Sequence, residues 1–363
     1  MKKALYPILL LFALTGCIER YYPQTEGVGH ILSVDGIITN GITKIALSYT
    51  VGLNETLSNM TTENNALVYV ESEDGYQSAM TRSSGNGNYL IETGELNADA
   101  KYRLVIQLDG EEYHSSYITP AITPPVDVSY KFDPVKNNIS ICITTIGNEH
   151  QHGFYLWSYK EDWEIFSLIY MKSWLIEYID MNTGKWVTET FYNDLDSPYN
   201  LYYCWKADSS KLPLLGATEK LSENIIREKA IKTFNCNDDR IFELYRIKVM
   251  QNALNRDCYE YFVNLKKNTE QTGSILGTIP TELMGNIKCV TNSKIPVIGY
   301  VDVSTITTTE LYLTDKYYDD SYREWLIQSS CFNKEFNYIY TECKDCTYYG
   351  TKRKPKDWPN DHQ

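Results

Sequence analysis

Apolar and polar residues alternate over short stretches along most of the chain, which predicts β-strands. Residues 43–49 are one example, because Ile45, Leu47 and Tyr49 fall at every second position, as in a strand with one face on a core. Within residues 30–119 such stretches are separated by Gly, Asn and Asp turns, a spacing typical of β-sandwiches. We therefore predict a mainly β protein that begins with an immunoglobulin-like or transthyretin-like sandwich over 30–119.

A proline-rich segment marks a boundary after this domain. Pro120, Pro124 and Pro125 stiffen the chain and disfavour helix. Beyond it, we predict a second β-rich domain over 126–315 with a few inserted helices, and a short Cys-rich tail over 316–363. Within the second domain we expect a hairpin around Asn182-Thr183-Gly184, a helix over 219–233 with Ser222 as its cap, and a helix around 254–265.

The start of the chain predicts an export signal and a lipid anchor. Lys2 and Lys3 precede an apolar run over 4–14, which is too short to cross a bilayer. Leu14-Thr15-Gly16-Cys17 matches the bacterial lipobox, in which the cysteine thiol takes a diacylglycerol and the signal is cut before it. We therefore predict a signal peptide over 1–16, acylation of Cys17 and a lipidated tether over 17–29. The alternative is an ordinary signal peptide with a chance cysteine.

The residue after Cys17 bears on location. It is Ile18, so the Asp that often retains lipoproteins at the inner membrane is absent. The expected location is the outer membrane, with the periplasmic or the cell-surface face left open. No later segment reaches 18 apolar residues, so lipid is the only membrane attachment that the sequence predicts.

Charge excludes one class of partner, and the cysteines point to structural bonds. The formal net charge of −13 does not suit a nucleic-acid binder, which needs a basic face. In an oxidising compartment the cysteines other than Cys17 favour disulfides. The candidates for structural disulfides are Cys204, Cys289, Cys331, Cys343 and Cys346.

The tail cysteines lead to a specific expectation. The tail has few apolar residues of its own, so it needs covalent links to offset the entropy of ordering. A bond between Cys343 and Cys346 would close a very small ring. We therefore expect one of them to pair with Cys331 and the other to reach Cys204 or Cys289. The alternatives are a redox pair and a zinc site, for which a fourth ligand is not evident.

Aromatic and acidic residues offer candidate chemistry. Trp157, Trp163 and Trp174 are candidates for a ligand surface, because rings stack on sugars and peptides. The alternative is that they pack in the core between sheets, which we favour.

Catalytic and metal-binding patterns are weak. The adjacent acids Glu161-Asp162 and Asp319-Asp320 do not by themselves place two carboxyls across a cleft, as glycosidases require. His150 and His152 would share one face of a strand, yet only Glu149 could join them as a metal ligand. No nucleophile elbow, zinc-protease motif or phosphate loop occurs. We predict no enzyme activity, no metal site and no cofactor.

Several stretches resemble a family of Bacteroidota outer-membrane lipoproteins of unknown function. The resemblance covers nearly the whole mature chain and is carried by these segments: 32–39, 203–205, 259–270, 273–275, 285–292, 296–300 and Cys343-Lys344-Asp345-Cys346 with 350–358 behind it. Members of that family are typically encoded beside a TonB-dependent outer-membrane transporter. The resemblance implies an accessory lipoprotein and carries over no catalytic residues.

Two functions of different classes are therefore expected from the sequence. The first is a non-enzymatic lipoprotein that partners a TonB-dependent transporter in nutrient uptake. The alternative is a surface-anchored hydrolase or a glycan- or peptide-binding protein, which only the aromatic and acidic content favours.

Overall fold

The computed structural model describes residues 31–50, 61–148, 153–192, 200–271, 285–314, 320–333, 335 and 338–359. The strands within these residues are, in chain order, β1 (Leu32–Ile38), β2 (Gly41–Tyr49), β3 (Leu67–Ser72), β4 (Asn88–Gly94), β5 (Tyr102–Leu108), β6 (Glu111–Ser115), β7 (Val126–Asp133), β8 (Asn138–Ile146), β9 (Phe154–Phe166), β10 (Ser173–Ile179), β11 (Trp186–Tyr192), β12 (Tyr203–Ser209), β13 (Leu214–Ala217), β14 (Ile225–Asn235), β15 (Tyr245–Ala253), β16 (Ile287–Cys289), β17 (Val297–Val303), β18 (Ile306–Leu313), β19 (Phe332–Asn333) and β20 (Tyr338–Ile339). The α-helices are α1 (Arg256–Gln271) and α2 (Asp320–Ser330).

The first domain is a sandwich of two four-stranded sheets. One sheet has the order β17-β1-β2-β4 and the other β16-β6-β5-β3. The alternation predicted for β2 is confirmed: Ile45 and Leu47 are buried in the core between the sheets, with Val34, Tyr89 and Ile106. Burial of these side chains away from water is the main stabilising term of such a sandwich.

Two strands of this sandwich come from much later in the chain. β17 pairs with β1 in parallel, and β16 pairs with β6. The predicted range 30–119 therefore lacks two of the domain's strands, and the predicted range 126–315 includes residues that do not belong to the second domain. Gly299 permits the parallel pairing, because a Cβ at this position would collide with the carbonyl oxygen of Val34.

The second domain packs two further sheets. One has the order β12-β9-β15-β18, with β13 pairing the first half of β9, and the other has the order β14-β8-β7. Their shared core contains Trp157, Tyr245, Ile139 and Ile141. β6 and β7 lie in different sheets, so the chain passes from one sheet to another across the proline-rich segment.

One predicted helix is present and the other is wrong. α1 covers the predicted stretch and buries Cys258 and Phe262 on one face. The expected helix over 219–233 is replaced by a turn and β14, which pairs with β8. The register of β14 shifts twice, between Ile226 and Lys229 and between Ala230 and Lys232. These bulges interrupt the two-residue alternation of a strand, so the apolar residues of this segment recur at a spacing that resembles that of a helix.

Candidate functional site

The β10–β11 hairpin forms a two-stranded sheet of its own. The predicted turn is confirmed: the Asp180 carboxylate accepts the N–H of Asn182 and the hydroxyl of Thr183, and Gly184 has a φ of 66°. These hydrogen bonds lower the pKa of Asp180. A structured turn therefore fixes the register of the two strands.

Apolar side chains are exposed along this hairpin. Trp186 is 72% exposed and Met181, at the turn, is 93% exposed. Leu175, Tyr178, Ile179 and Tyr192 are also exposed. Because β10 and β11 alternate, Leu175 and Tyr178 lie on opposite faces of the hairpin, so one neighbouring sheet could not cover both. A two-stranded sheet is only marginally stable alone, and a large exposed apolar patch marks an interaction site.

The hairpin follows β9 along the chain, and the start of β9 is the end that contacts the region before α1. The carbonyl of Phe154, at the start of β9, accepts the N–H of Leu254 just before α1. β9 then extends for 13 residues, about 43 Å at about 3.3 Å per residue, before the chain enters β10. In the first domain, the Ile38 end of β1 contacts the linker region, because the Ile38 carbonyl accepts the N–H of Ser304 and Ser304 bridges Ala121. The hairpin therefore follows the end of β9 that lies away from this contact with Leu254.

The tryptophans proposed as a ligand surface have different locations. Trp157 is fully buried, and its Nε1 donates to Gln251 Oε1 at 2.6 Å. Trp163 is buried, donates to Asp239 and is covered by the Arg240 guanidinium. These two belong to the core, which is the alternative that the sequence analysis favoured over a ligand surface. Both rings lie on the face of the central strand β9 that points into the core of the second domain.

Trp174 lies on the hairpin instead. It stands in β10, paired in register with Phe191 of β11. The sequence analysis did not single out the neighbouring Leu175, Met181 and Trp186. The sequence pattern that could have identified them is a hairpin with apolar residues on both of its faces. A single neighbouring sheet can bury only one of these faces.

The structure pairs the tail cysteines in the predicted pattern. Cys331 is bonded to Cys343, and Cys346 is bonded to Cys204. Cys289 was the alternative partner, and it is a free, buried thiol. It stands in β16 opposite Tyr113, within the first domain, which places it out of reach of the tail. Cys17 lies outside the described residues.

The adjacent acids Glu161 and Asp162 are held in ion pairs. Glu161 is buried; it accepts hydrogen bonds from Lys232, Arg240 and the Tyr245 hydroxyl. Asp162 bonds Arg246 at 2.7 Å. Because neighbouring strand residues face opposite sides of the sheet, these carboxyls do not face each other across a cleft.

Glu164 is a second buried carboxyl on β9. Its pKa is raised to about 8, chiefly by burial and then by the charge of Glu243. The C-terminal segment lies over this region: Thr351 bridges Trp205 of β12, and the Arg246 guanidinium sits 5.4 Å from the ring of the buried Trp358. Glu164 is thus enclosed by the tail.

A cavity of about 660 Å³ opens where the proline-rich linker meets the start of β9. Its polar lining is largely occupied by neighbours: Asn224 Oδ1 accepts from Tyr155 and Thr218, and Arg256 pairs with Glu219 at 2.7 Å. His150 and His152 lie outside the described residues.

The described residues contain neither a cluster of metal ligands nor a helix suited to span a membrane. No three His, Cys, Asp or Glu side chains among them come together to hold one ion. Neither helix in the described ranges combines the length and apolarity that crossing a membrane requires.

Comparison with known proteins gives a family. No curated protein matches the chain. The family described as "Domain of unknown function (DUF4249)" matches residues 18–310, which include both sandwiches and end within β18; the disulfide-linked tail lies beyond the match. Because this match spans most of the chain, the protein belongs to the DUF4249 family.

Proposed function

We propose that the protein is a non-enzymatic outer-membrane lipoprotein of a Bacteroidota bacterium, anchored through Cys17, that binds a TonB-dependent transporter in nutrient uptake. The single observation that carries the proposal is the β10–β11 hairpin, with apolar side chains exposed on both faces. The lipobox and the resemblance described above supply the anchor and the class of partner.

The position of the hairpin favours a protein over the lipid surface as its partner. The predicted anchor and tether precede β1 of the first domain, whereas the hairpin belongs to the second half of the order of strands, after β9. A tether over 17–29 reaches at most about 45 Å, and strands β1 to β9 separate it from the hairpin along the chain. The hairpin therefore contacts the part of the transporter that stands out of the bilayer.

The absence of an evident reaction centre among the described residues supports a binding role. Glu161 and Asp162 are bonded to cations, and Trp157 and Trp163 are buried. Such residues stabilise the second domain and do not face a substrate.

The proposal is tested by co-purification from outer membranes in mild detergent. We expect the wild-type protein to bring down a plugged β-barrel transporter, and the double variant L175S/W186S to lose it. Val135→Ser is the matched control, because Val135 is a 92% exposed apolar residue in the β7–β8 turn; it should retain the transporter. Equal recovery of the transporter with the hairpin variant would contradict the proposal.

A further inference from the structure

A cleft separates the outward face of the first domain from the second domain. Its walls are β1 and β2 on one side, residues 210–213 on the other and α1 at one end. It contains two adjoining cavities of about 400 Å³ and about 330 Å³ that share Asp35, Lys211 and Phe262. Small-molecule sites of this size are frequent at domain interfaces.

The carboxylate of Asp35 lines this cleft and has no partner among the described residues. It stands on the face of β1 that points away from the sandwich core, and its side chain is exposed to the cleft. It forms no hydrogen bond or ion pair in the part of the chain that the structure describes. Asp302 on the neighbouring strand is the contrast, since its carboxylate accepts three hydrogen bonds from Asn255 and Val303.

Lys44 provides an unused positive charge beside it. In the β1–β2 register Lys44 lies opposite Ile37, and Asp35 lies opposite Ala46. Asp35 and Lys44 are therefore diagonal neighbours on one face, at a typical Cα separation of about 7–8 Å. Burial raises the pKa of Asp35, and the charge of Lys44 offsets part of this rise. Among the described residues Lys44 has no ion pair, so the two opposite charges face the same space without a direct contact.

Across the cleft, Lys211 adds a second ammonium and an apolar wall stands beside it. Lys211 pairs with Asp208 at 3.0 Å, yet its side chain is largely exposed. Leu212 is half exposed beside it. Pro213, Phe262 and Leu265 complete the apolar wall.

We propose that this cleft binds a small zwitterion with an apolar side chain, namely a free amino acid or a short peptide. The ligand ammonium pairs with Asp35, its carboxylate pairs with Lys44 and Lys211, and its side chain packs on Leu212 and Phe262. An ammonium and a carboxylate on one ligand match the two unpaired charges, because each then gains a charge-assisted hydrogen bond. The inference goes beyond transporter binding and rests on residues other than the hairpin.

Isothermal titration calorimetry on the full chain tests it. The probes are L-leucine, L-phenylalanine and leucyl-leucine, each also as its N-acetyl form and its amide. We expect at least one free zwitterion to bind, and its N-acetyl and amide forms to bind at least about tenfold more weakly, a difference of about 1.4 kcal/mol. No binding of any probe up to about 10 mM, or equal binding of the capped forms, would overturn the proposal.

Variants assign the charges to their residues. Asp35→Asn should weaken binding of the free zwitterion and leave the affinity for the N-acetyl form unchanged. Lys44→Gln should weaken binding of the free zwitterion and leave the affinity for the amide unchanged. Asp99→Asn and Lys288→Gln are matched controls, since both residues are exposed and remote from the cleft, and they should bind as the wild type does. Wild-type affinity in both cleft variants would contradict the site, whatever the outcome of the hairpin experiment.

Discussion

Asp302 of the first domain accepts two hydrogen bonds from Asn255, the residue just before α1, at 2.9 Å from its N–H and 2.7 Å from its Nδ2. The Asn255 carbonyl in turn accepts the N–H of Tyr259. The buried Asp302 carboxylate on β17 of the first domain thus accepts from the N–H at the start of α1, which lies outside that domain. This contact fixes α1 against the sandwich and forms one end of the interface between the domains.

Replacing Asp302 should destabilise this interface. Asp302→Ala leaves the Asn255 donors without their partner, and loss of a capping interaction costs about 0.5–2 kcal/mol. We expect the free energy of unfolding, measured by urea denaturation, to fall by about that amount. Asp99→Ala, at an exposed position, is the control and should change it little; an unchanged stability in Asp302→Ala would show that the contact is not stabilising.

The two disulfides should differ in their contribution to stability. The Cys204–Cys346 bond closes a loop of 142 residues and the Cys331–Cys343 bond a loop of 12. In the chain-entropy account these correspond to about 5 and about 3 kcal/mol. C204S/C346S should therefore lower the free energy of unfolding by about 2 kcal/mol more than C331S/C343S. Urea denaturation of both variants checks this, and the reverse order would contradict it.

Glu164 should make stability depend on pH. Its pKa in the folded protein is raised to about 8, so between its ordinary pKa and about 8 the folded state binds more protons than the unfolded state. The free energy of unfolding should therefore decrease as pH rises from about 5 to about 8. Glu164→Gln has no such proton and should flatten this decrease in a series of urea denaturations. A wild-type slope in the variant would assign the pH dependence to other groups.

Local chemistry made part of the fold predictable. The β10–β11 hairpin follows from Asn182-Thr183-Gly184, because the turn needs the positive φ that Gly184 supplies. That Cys331 pairs with one of Cys343 and Cys346 follows from the few apolar residues in the tail, and the structure shows that the partner is Cys343. In each case the interacting residues are at most 12 positions apart along the chain.

Long-range contacts decided the rest. Nothing near Gly299 indicates that β17 would return to pair with β1, more than 250 residues earlier. The bulges of β14 depend on its pairing with β8, so its apolar spacing alone suggests a helix. Asp35 was missed because its isolation in a cleft requires the second domain to stand opposite it.

Lipid attachment has its own test. Cys17→Ala removes the thiol that the predicted modification requires, so the protein should move from the membrane fraction to the soluble fraction or keep its signal peptide. Fractionation and mass spectrometry of the N-terminus measure both outcomes. The predicted anchor would be contradicted if the Cys17→Ala protein lost its signal peptide and still remained in the membrane fraction at the wild-type level.

The central claim is that the hairpin contacts a transporter in the intact envelope. A photo-crosslinking amino acid placed at Met181, at the exposed turn, reports what lies against the hairpin in living cells. The same amino acid at Val135, equally exposed on another turn, reports chance encounters.

The measurement that tests this claim most directly is the identity of the crosslinked species by mass spectrometry. We predict that the Met181 position yields a covalent adduct with a TonB-dependent transporter and that the Val135 position does not. Adducts with lipid alone, with no protein, or with the same proteins at both positions would contradict the account.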